Sequence, residues 1–207
     1  MNIKTLAETI AMLIKESGEI EVVETKLYFV RHAESGYVEG KERTRGLSEK
    51  GKGDSQTILE IFKSVHIEIF VSSPYMRSIE TIRPTSNDQH KEITIEEDLR
   101  ERIIGEFTSV TFKEAKHRVF EDIDYSFPGG ESSKEAQLRA ITVIDRIIEI
   151  HQGKKIVVGT HGDIMTLILN YFDKQYGYSF WESTTIPDIY KLRFKDRDLI
   201  EVTRMWE

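Results

Sequence analysis

The chain contains no cysteine, so disulfides, thiolate metal sites and cysteine nucleophiles are excluded, and with them every chemistry that needs a thiolate. Proline is scarce, with four residues scattered through 207, and no Pro-, Gly- or Ser-rich stretch is long enough to separate two domains. No internal repeat or low-complexity tract occurs either. Excess positive charge is also lacking: the formal net charge is -7 at pH 7, which leaves no electrostatic footprint for a nucleic-acid duplex or an anionic membrane. Any anion must then be met by a local group of cations. The opening stretch from Asn2 to Ser17 is broken by Glu8, Lys15 and Glu16, too often for a signal h-region or a membrane span. The expected location is the cytoplasm, with no nucleic acid and no membrane as partner.

What is present is an ordinary globular composition, 39% apolar and 31% charged, of a length that one hydrophobic core can serve. Leu6, Ile10, Leu13 and Ile14 fall on one helical stripe, so residues 1–24 are expected to form an N-terminal helical appendage. From residue 25 to 207 strands and helices alternate. Lys26 to Val30, Ile67 to Val71, Glu92 to Glu96 and Lys155 to Gly159 have the composition or alternation of strands. Between them, helices are predicted from the cap at Ser48 to about Ser64, from Pro74 at a first helical position to about Thr81, over Thr111 to Asp122, and over Ser133 to Gln152. The last of these would bury Leu138, Ile141, Ile144 and Ile148. A further helix from about Asp163 to Phe172 follows, then two strands near Ile189 to Phe194 and Leu199 to Arg204, close enough to pair as an antiparallel edge hairpin. The fold class is therefore α/β: a single three-layer α/β/α domain with a mostly parallel central sheet.

In open α/β sheets, ligands sit beyond the carboxyl ends of the strands. Arg31 and His32 follow the first strand, Arg77 lies on the helix after the second, and His161 and Gly162 follow the KIVVG strand. Two guanidiniums and two imidazoles at one sheet edge repel one another unless an anion lies among them, and a phosphoryl group suits the planar fork of arginine. Gly162 would let backbone approach that anion closely. Any one of these residues alone is usually structural; their joint position at three strand ends is the signal.

These residues stand in the segments LYFVRHAES, SSPYMRSIET and GTHGD, with LSEKG, LRER and PGGES in order between them. Over roughly Lys26 to Trp206 the chain resembles the histidine phosphatase superfamily, which includes the cofactor-dependent phosphoglycerate mutases. The resemblance implies that fold, with His32 as phosphohistidine, Arg31, Arg77 and His161 as the anion cage, and Glu101 as proton donor, with Glu106 near enough to compete. Where the family commonly has RHGxxxxN, this chain has Ala33 and Val38. Val38 cannot donate a hydrogen bond to phosphate, which leaves Ser35 as a candidate replacement.

The function implied is hydrolysis of a small phosphorylated substrate through His32, with no metal and no cofactor, and with mutase-type intramolecular transfer as the alternative. The segment from Glu106 to Phe127 is the candidate lid, its Phe107, Phe112, Tyr125 and Phe127 serving either a substrate or the core. A metallohydrolase would use the pairs His32 with Glu34 and His161 with Asp163; a phosphate-binding regulator without catalysis is a third reading. GLSEKGK at Gly46 to Lys52 has P-loop spacing, but Gly53 stands where Ser or Thr should ligate magnesium and no buried strand precedes it. The N-terminal stripe, Trp181 and Trp206 belong to the core or to a homodimer interface.

Overall fold

Leu27, Tyr28, Phe29 and Val30 are all buried. Successive side chains of a strand point to opposite faces, so burial of all four requires a sheet covered on both sides. The computed structural model of the chain, which describes residues 23–207, has that arrangement. The strands are β1 (Glu24–Arg31), β2 (Ile69–Ser72), β3 (Ile93–Ile95), β4 (Lys155–Thr160), β5 (Asp188–Lys195) and β6 (Asp198–Arg204), forming one sheet in the order β3-β2-β4-β1-β5-β6. β3, β2, β4 and β1 run parallel, while β5 and β6 complete the sheet as an antiparallel hairpin.

Helices α1 (Glu49–Phe62) and α2 (Met76–Asp88) cover one face. Ile58, Phe62 and Ile82 pack there against Tyr28, Val30, Phe70 and Val157. Helices α4 (Ser133–Ile150) and α5 (Gly162–Phe172) cover the other, where Ile144, Ile148, Leu167 and Ile168 meet Leu27, Phe29, Ile156 and Val158. Each such side chain, taken fully out of water, contributes about 1.5–3 kcal/mol. A smaller cluster lies around α3 (Phe112–Glu121). Helices α3 and α4 start at capping boxes, Thr111 with Glu114 and Ser132 with Glu135, each side chain accepting from the other's backbone N–H. Among the described residues no helix is long and apolar enough to cross a membrane.

Several expectations are corrected. The helix predicted from Pro74 to Thr81 begins at Met76, with Tyr75 as a cap that makes no side-chain bond, and runs through Pro84 to Asp88. Ser72 is taken by β2, and burial of Ile82, Thr85 and Ser86 holds the helix beyond Thr81 despite the missing proline N–H. Leu138 is solvent-exposed, because the buried stripe of α4 runs through Ala136, Ala140, Ile144 and Ile147 on the opposite side. A short helix α6 (Tyr178–Ser183) was not anticipated. The GLSEKGK segment follows a loop and forms the cap and first turn of α1, with Ser48 accepting from Gly51 N–H. Gly51 is required there: a Cβ would lie 2.1 Å from the Glu34 carbonyl oxygen. Trp181 packs among Phe112, Phe120 and Tyr178, and Trp206 against the cluster under α1. The expected N-terminal helix lies outside the described residues.

Candidate active site

β1 and β4 are parallel neighbours with Arg31 opposite Thr160, so both strands end at one edge and place His32 beside His161. His32 N–H donates to Thr160 O at 3.0 Å, and Ala33 N–H to Thr81 Oγ1 at 2.9 Å, which pins the turn that presents the ring. β2, on the other side of β4, ends next to them; Ser73 N–H donates to Gly159 O at 3.0 Å. The two imidazole centroids are 5.2 Å apart.

His32 is buried at the base of a cleft of about 610 Å³, a size common for small-molecule sites. Its Nδ1–H donates to the Ala33 carbonyl at 2.8 Å, an assignment that follows because only the nitrogen can supply the proton. The lone pair is then left on Nε2. Burial, and then the charges of Arg77, Arg31 and Arg45, push the ring's pKa down to about 3, so His32 is neutral at physiological pH. His161 is fully buried and its pKa is also held low, first by burial and then by His32 and the arginines. Its Nε2 lies 2.6 Å from Ser73 Oγ, which in turn accepts from Tyr75 N–H. The Ser73 hydroxyl thus joins the chain ahead of the helix at Met76 to this histidine.

The arginines take different positions. Arg77 lines the cleft and donates to the Glu42 carbonyl at 2.7 Å, while its guanidinium lies 3.3 Å from the Glu42 carboxylate. Arg31 packs under the edge against Gly162 and donates to the Thr184 carbonyl and hydroxyl. A Cβ on Gly162 would lie 2.9 Å from Arg31 Cζ, so the close backbone approach expected there is made to the arginine. Arg31 Nε, Arg77 Nε and His161 Nδ1 are buried without a hydrogen-bond partner among the described residues. Unpaired buried N–H donors such as the two Nε atoms are costly; of these three residues Arg77 alone lines the cleft, whereas Arg31 and His161 lie behind its wall.

Among the cleft residues that escaped the sequence reading, two are charged and lie beside Arg77. Arg45, from the polar EGKERTR stretch, lines the cleft and donates to the Ser35 carbonyl and hydroxyl. Glu42 lies 3.2 Å from Arg45 and also faces Arg77. Nothing periodic marks that loop, so only the folded chain brings it to the edge. Ser35 lines the cleft, whereas Val38 is half-exposed and does not.

Glu101 lines the same cleft, whereas Glu106 is exposed outside it. Its carboxylate accepts from Arg102 N at 2.9 Å and from Asp163 N and Ile164 N at 3.3 Å. Burial, then the nearby Asp163 charge, raise its pKa. Asp163 itself is buried on Arg102, at 2.7 and 2.9 Å, and on Lys116 at 2.5 Å. Burial pushes its carboxyl up, but the two cations outweigh this and bring it down to about 2. With Asp163 held there and Glu34 on Ser48 Oγ at 2.7 Å, the two His-carboxylate pairs do not converge. Among the described residues no group of three or more His, Cys, Asp or Glu is placed to hold a metal ion. The supposed lid divides: Phe107, Tyr125 and Phe127 pack on Ala115 and Val119, while Phe112 and Lys116 reach the cleft.

The family pattern described as the histidine phosphatase superfamily (branch 1) matches residues 27–199. Phosphoglycerate mutase-like protein 4 of Arabidopsis thaliana is 28% identical over 166 residues, covering 72% of this chain and 71% of that protein. Of solved structures, a mycobacterial glucosyl-3-phosphoglycerate phosphatase has a TM-score of 0.70 at 18% identity, covering 87% of this chain and 97% of its own. A phosphoserine phosphatase of Entamoeba histolytica, in complex with 3-phosphoglyceric acid, has a TM-score of 0.72 at 18% identity, with coverage of 88% and 98%. At such identities the two structures establish a shared fold.

Proposed function

The chain belongs to the histidine phosphatase superfamily, and on that premise we propose that it hydrolyses phosphate monoesters through a phosphohistidine formed on His32. The observation that carries this reading is the state of the His32 ring: neutral, with its proton turned to the Ala33 carbonyl and its lone pair left on Nε2 at the base of the cleft. Nε2 attacks phosphorus in line, the ester P–O bond breaks, and Glu101 gives its proton to the departing oxygen. Arg77 and Arg45, which line the cleft, stabilise the equatorial oxygens, while Arg31 adds its charge from behind the edge and His161 packs beside the His32 ring, the electrostatic positioning that phosphoryl transfer chiefly requires. Water then attacks phosphorus, the Glu101 carboxylate takes its proton, and the P–N bond breaks to release inorganic phosphate and neutral His32. The raised pKa of Glu101 supports the donor role, since an acid must still be protonated near the working pH. The guanidiniums supply the positive charge, so this scheme uses no metal and no cofactor, and activity should survive exhaustive chelation.

Hydrolysis is favoured over intramolecular transfer because a mutase must keep water out, and most aromatics of the 106–127 segment are packed in the core and cannot close over the cleft. The likeness to a phosphoglycerate mutase-like protein keeps transfer as the alternative, and product analysis separates the two. His32→Ala should abolish both turnover and acid-labile labelling by a radioactive ester; retained turnover would remove His32 from the mechanism. Glu101→Gln should slow alkyl phosphates by roughly 10²–10⁴ and aryl phosphates far less, because only poor leaving groups need the proton. Equal effects on both would refute the donor role.

A further inference from the structure

We propose that the alcohol carried by the substrate is apolar and uncharged, an alkyl or aryl alcohol and not a carboxylic acid, seated on the outer wall of the cleft. This rests on the phosphatase reading above and specifies its substrate class. Tyr37, Ile103, Phe112 and Ile186 are 76%, 56%, 54% and 45% exposed, and all four line the same cleft as His32. They come from four separate segments: the loop after β1, the loop after the Glu97–Leu99 turn, the start of α3 and the turn before β5. Single exposed apolar residues are ordinary; four converging on the mouth of one polar-based cleft mark a surface that binds something apolar.

The charges of the cleft lead to the same substrate class. Its cations are Arg45, Arg77, Arg102 and Lys116. Arg45 and Arg77 belong to the phosphoryl end, around Glu42. Arg102 and Lys116, with side chains 0% and 7% exposed, are both bound to Asp163. Among the described residues no lining cation is left for a second anionic group on the substrate. The carboxylates that face the cleft are Glu34, Glu42 and Glu101, so a substrate carboxylate would lose its hydration beside like charge and hydrocarbon, without a partner. An alkyl or aryl group loses only unfavourable contact with water.

The test uses the full chain with ethyl, butyl and hexyl phosphate and with 3-phosphoglycerate, measuring kcat/KM and trapping phosphohistidine for each. Simple alkyl alcohols differ little in acidity, so a rise along the series reports contact and not leaving-group chemistry. The expected rise is up to about fourfold per buried methylene, with hexyl phosphate at least about tenfold above 3-phosphoglycerate. Ile103→Ala and, independently, Phe112→Ala should flatten the rise. A flat series, or 3-phosphoglycerate as the better substrate while phosphohistidine still forms, overturns this inference and leaves the phosphatase reading standing. Absence of phosphohistidine and of turnover with every ester overturns the phosphatase reading, and this one with it.

Discussion

Replacing Asp163 with Asn removes one charge and almost no volume, and the consequences reach from stability to Glu101, the proposed proton donor. Every bond that Arg102 and Lys116 make to Asp163 ends on one oxygen, Oδ2. The amide oxygen of Asn can occupy that place, so hydrogen-bond geometry survives while two buried cations lose their compensating charge. Breaking a buried pair in this way costs about 3–5 kcal/mol, which for a chain of this length lowers the melting temperature by roughly 6–20 °C. The remaining carboxyl beside Lys116 is Glu101, whose pKa is raised by burial and by the Asp163 charge and lowered by Lys116. With Asp163 neutralised, the Glu101 pKa falls, so the donor loses its proton at lower pH and the alkaline limb of kcat/KM for an alkyl phosphate moves toward acid. The pH dependence of stability has a definite sign. A carboxyl whose folded pKa is depressed contributes stability above its unfolded pKa and loses it as pH falls through the folded value, here about 2. The gap between wild type and variant should therefore narrow below pH 4. Thermal melts across pH together with a pH-rate profile test the reasoning. A melting temperature within about 1 °C of wild type, or an alkaline limb that stays in place or moves up, refutes it.

Two further outcomes follow from the same geometry. Gly51→Ala would set a Cβ 2.1 Å from the Glu34 carbonyl oxygen, so the turn carrying Ser48 and Glu34 must shift; urea denaturation should show a loss of about 1–3 kcal/mol, and an unchanged midpoint would mean that the loop yields freely. Glu42→Gln removes a half-exposed carboxylate from Arg77 and Arg45; inorganic phosphate should then inhibit about twofold to fivefold more tightly, and weaker inhibition would show that Glu42 organises the arginines and does not compete with the anion.

Much of the α/β architecture was legible because both of its signals are local. Buried runs such as LYFV and KIVVG, separated by helical stripes of the right length, imply a covered sheet before any contact is known. The positions of Arg31, His32 and His161 at strand ends were legible for a related reason: a group placed directly after a strand needs only the strand to be recognised. Misreadings arose where tertiary contacts outweighed local preference. Ser72, Ser73 and Pro74 spell a helix start, yet Ser72 extends the sheet, Ser73 bonds His161, and the helix waits until Met76.

Sequence alone determined that no thiol chemistry operates, that α/β units alternate, and that Arg31, His32 and His161 stand at strand ends with Arg77 on the helix that follows the second strand. These are properties of residue identity and of spacing within single segments. Only the tertiary structure decided that Arg45 and Glu42 come to the cleft from a loop without periodicity, that Glu101 and not Glu106 lines it, and that Arg102 and Lys116 are held on Asp163. The physical reason is distance along the chain. The partners of Asp163 lie 61 and 47 residues away, and the proton on His32 and the pKa of Glu101 depend on burial and charge that exist only once those segments are packed.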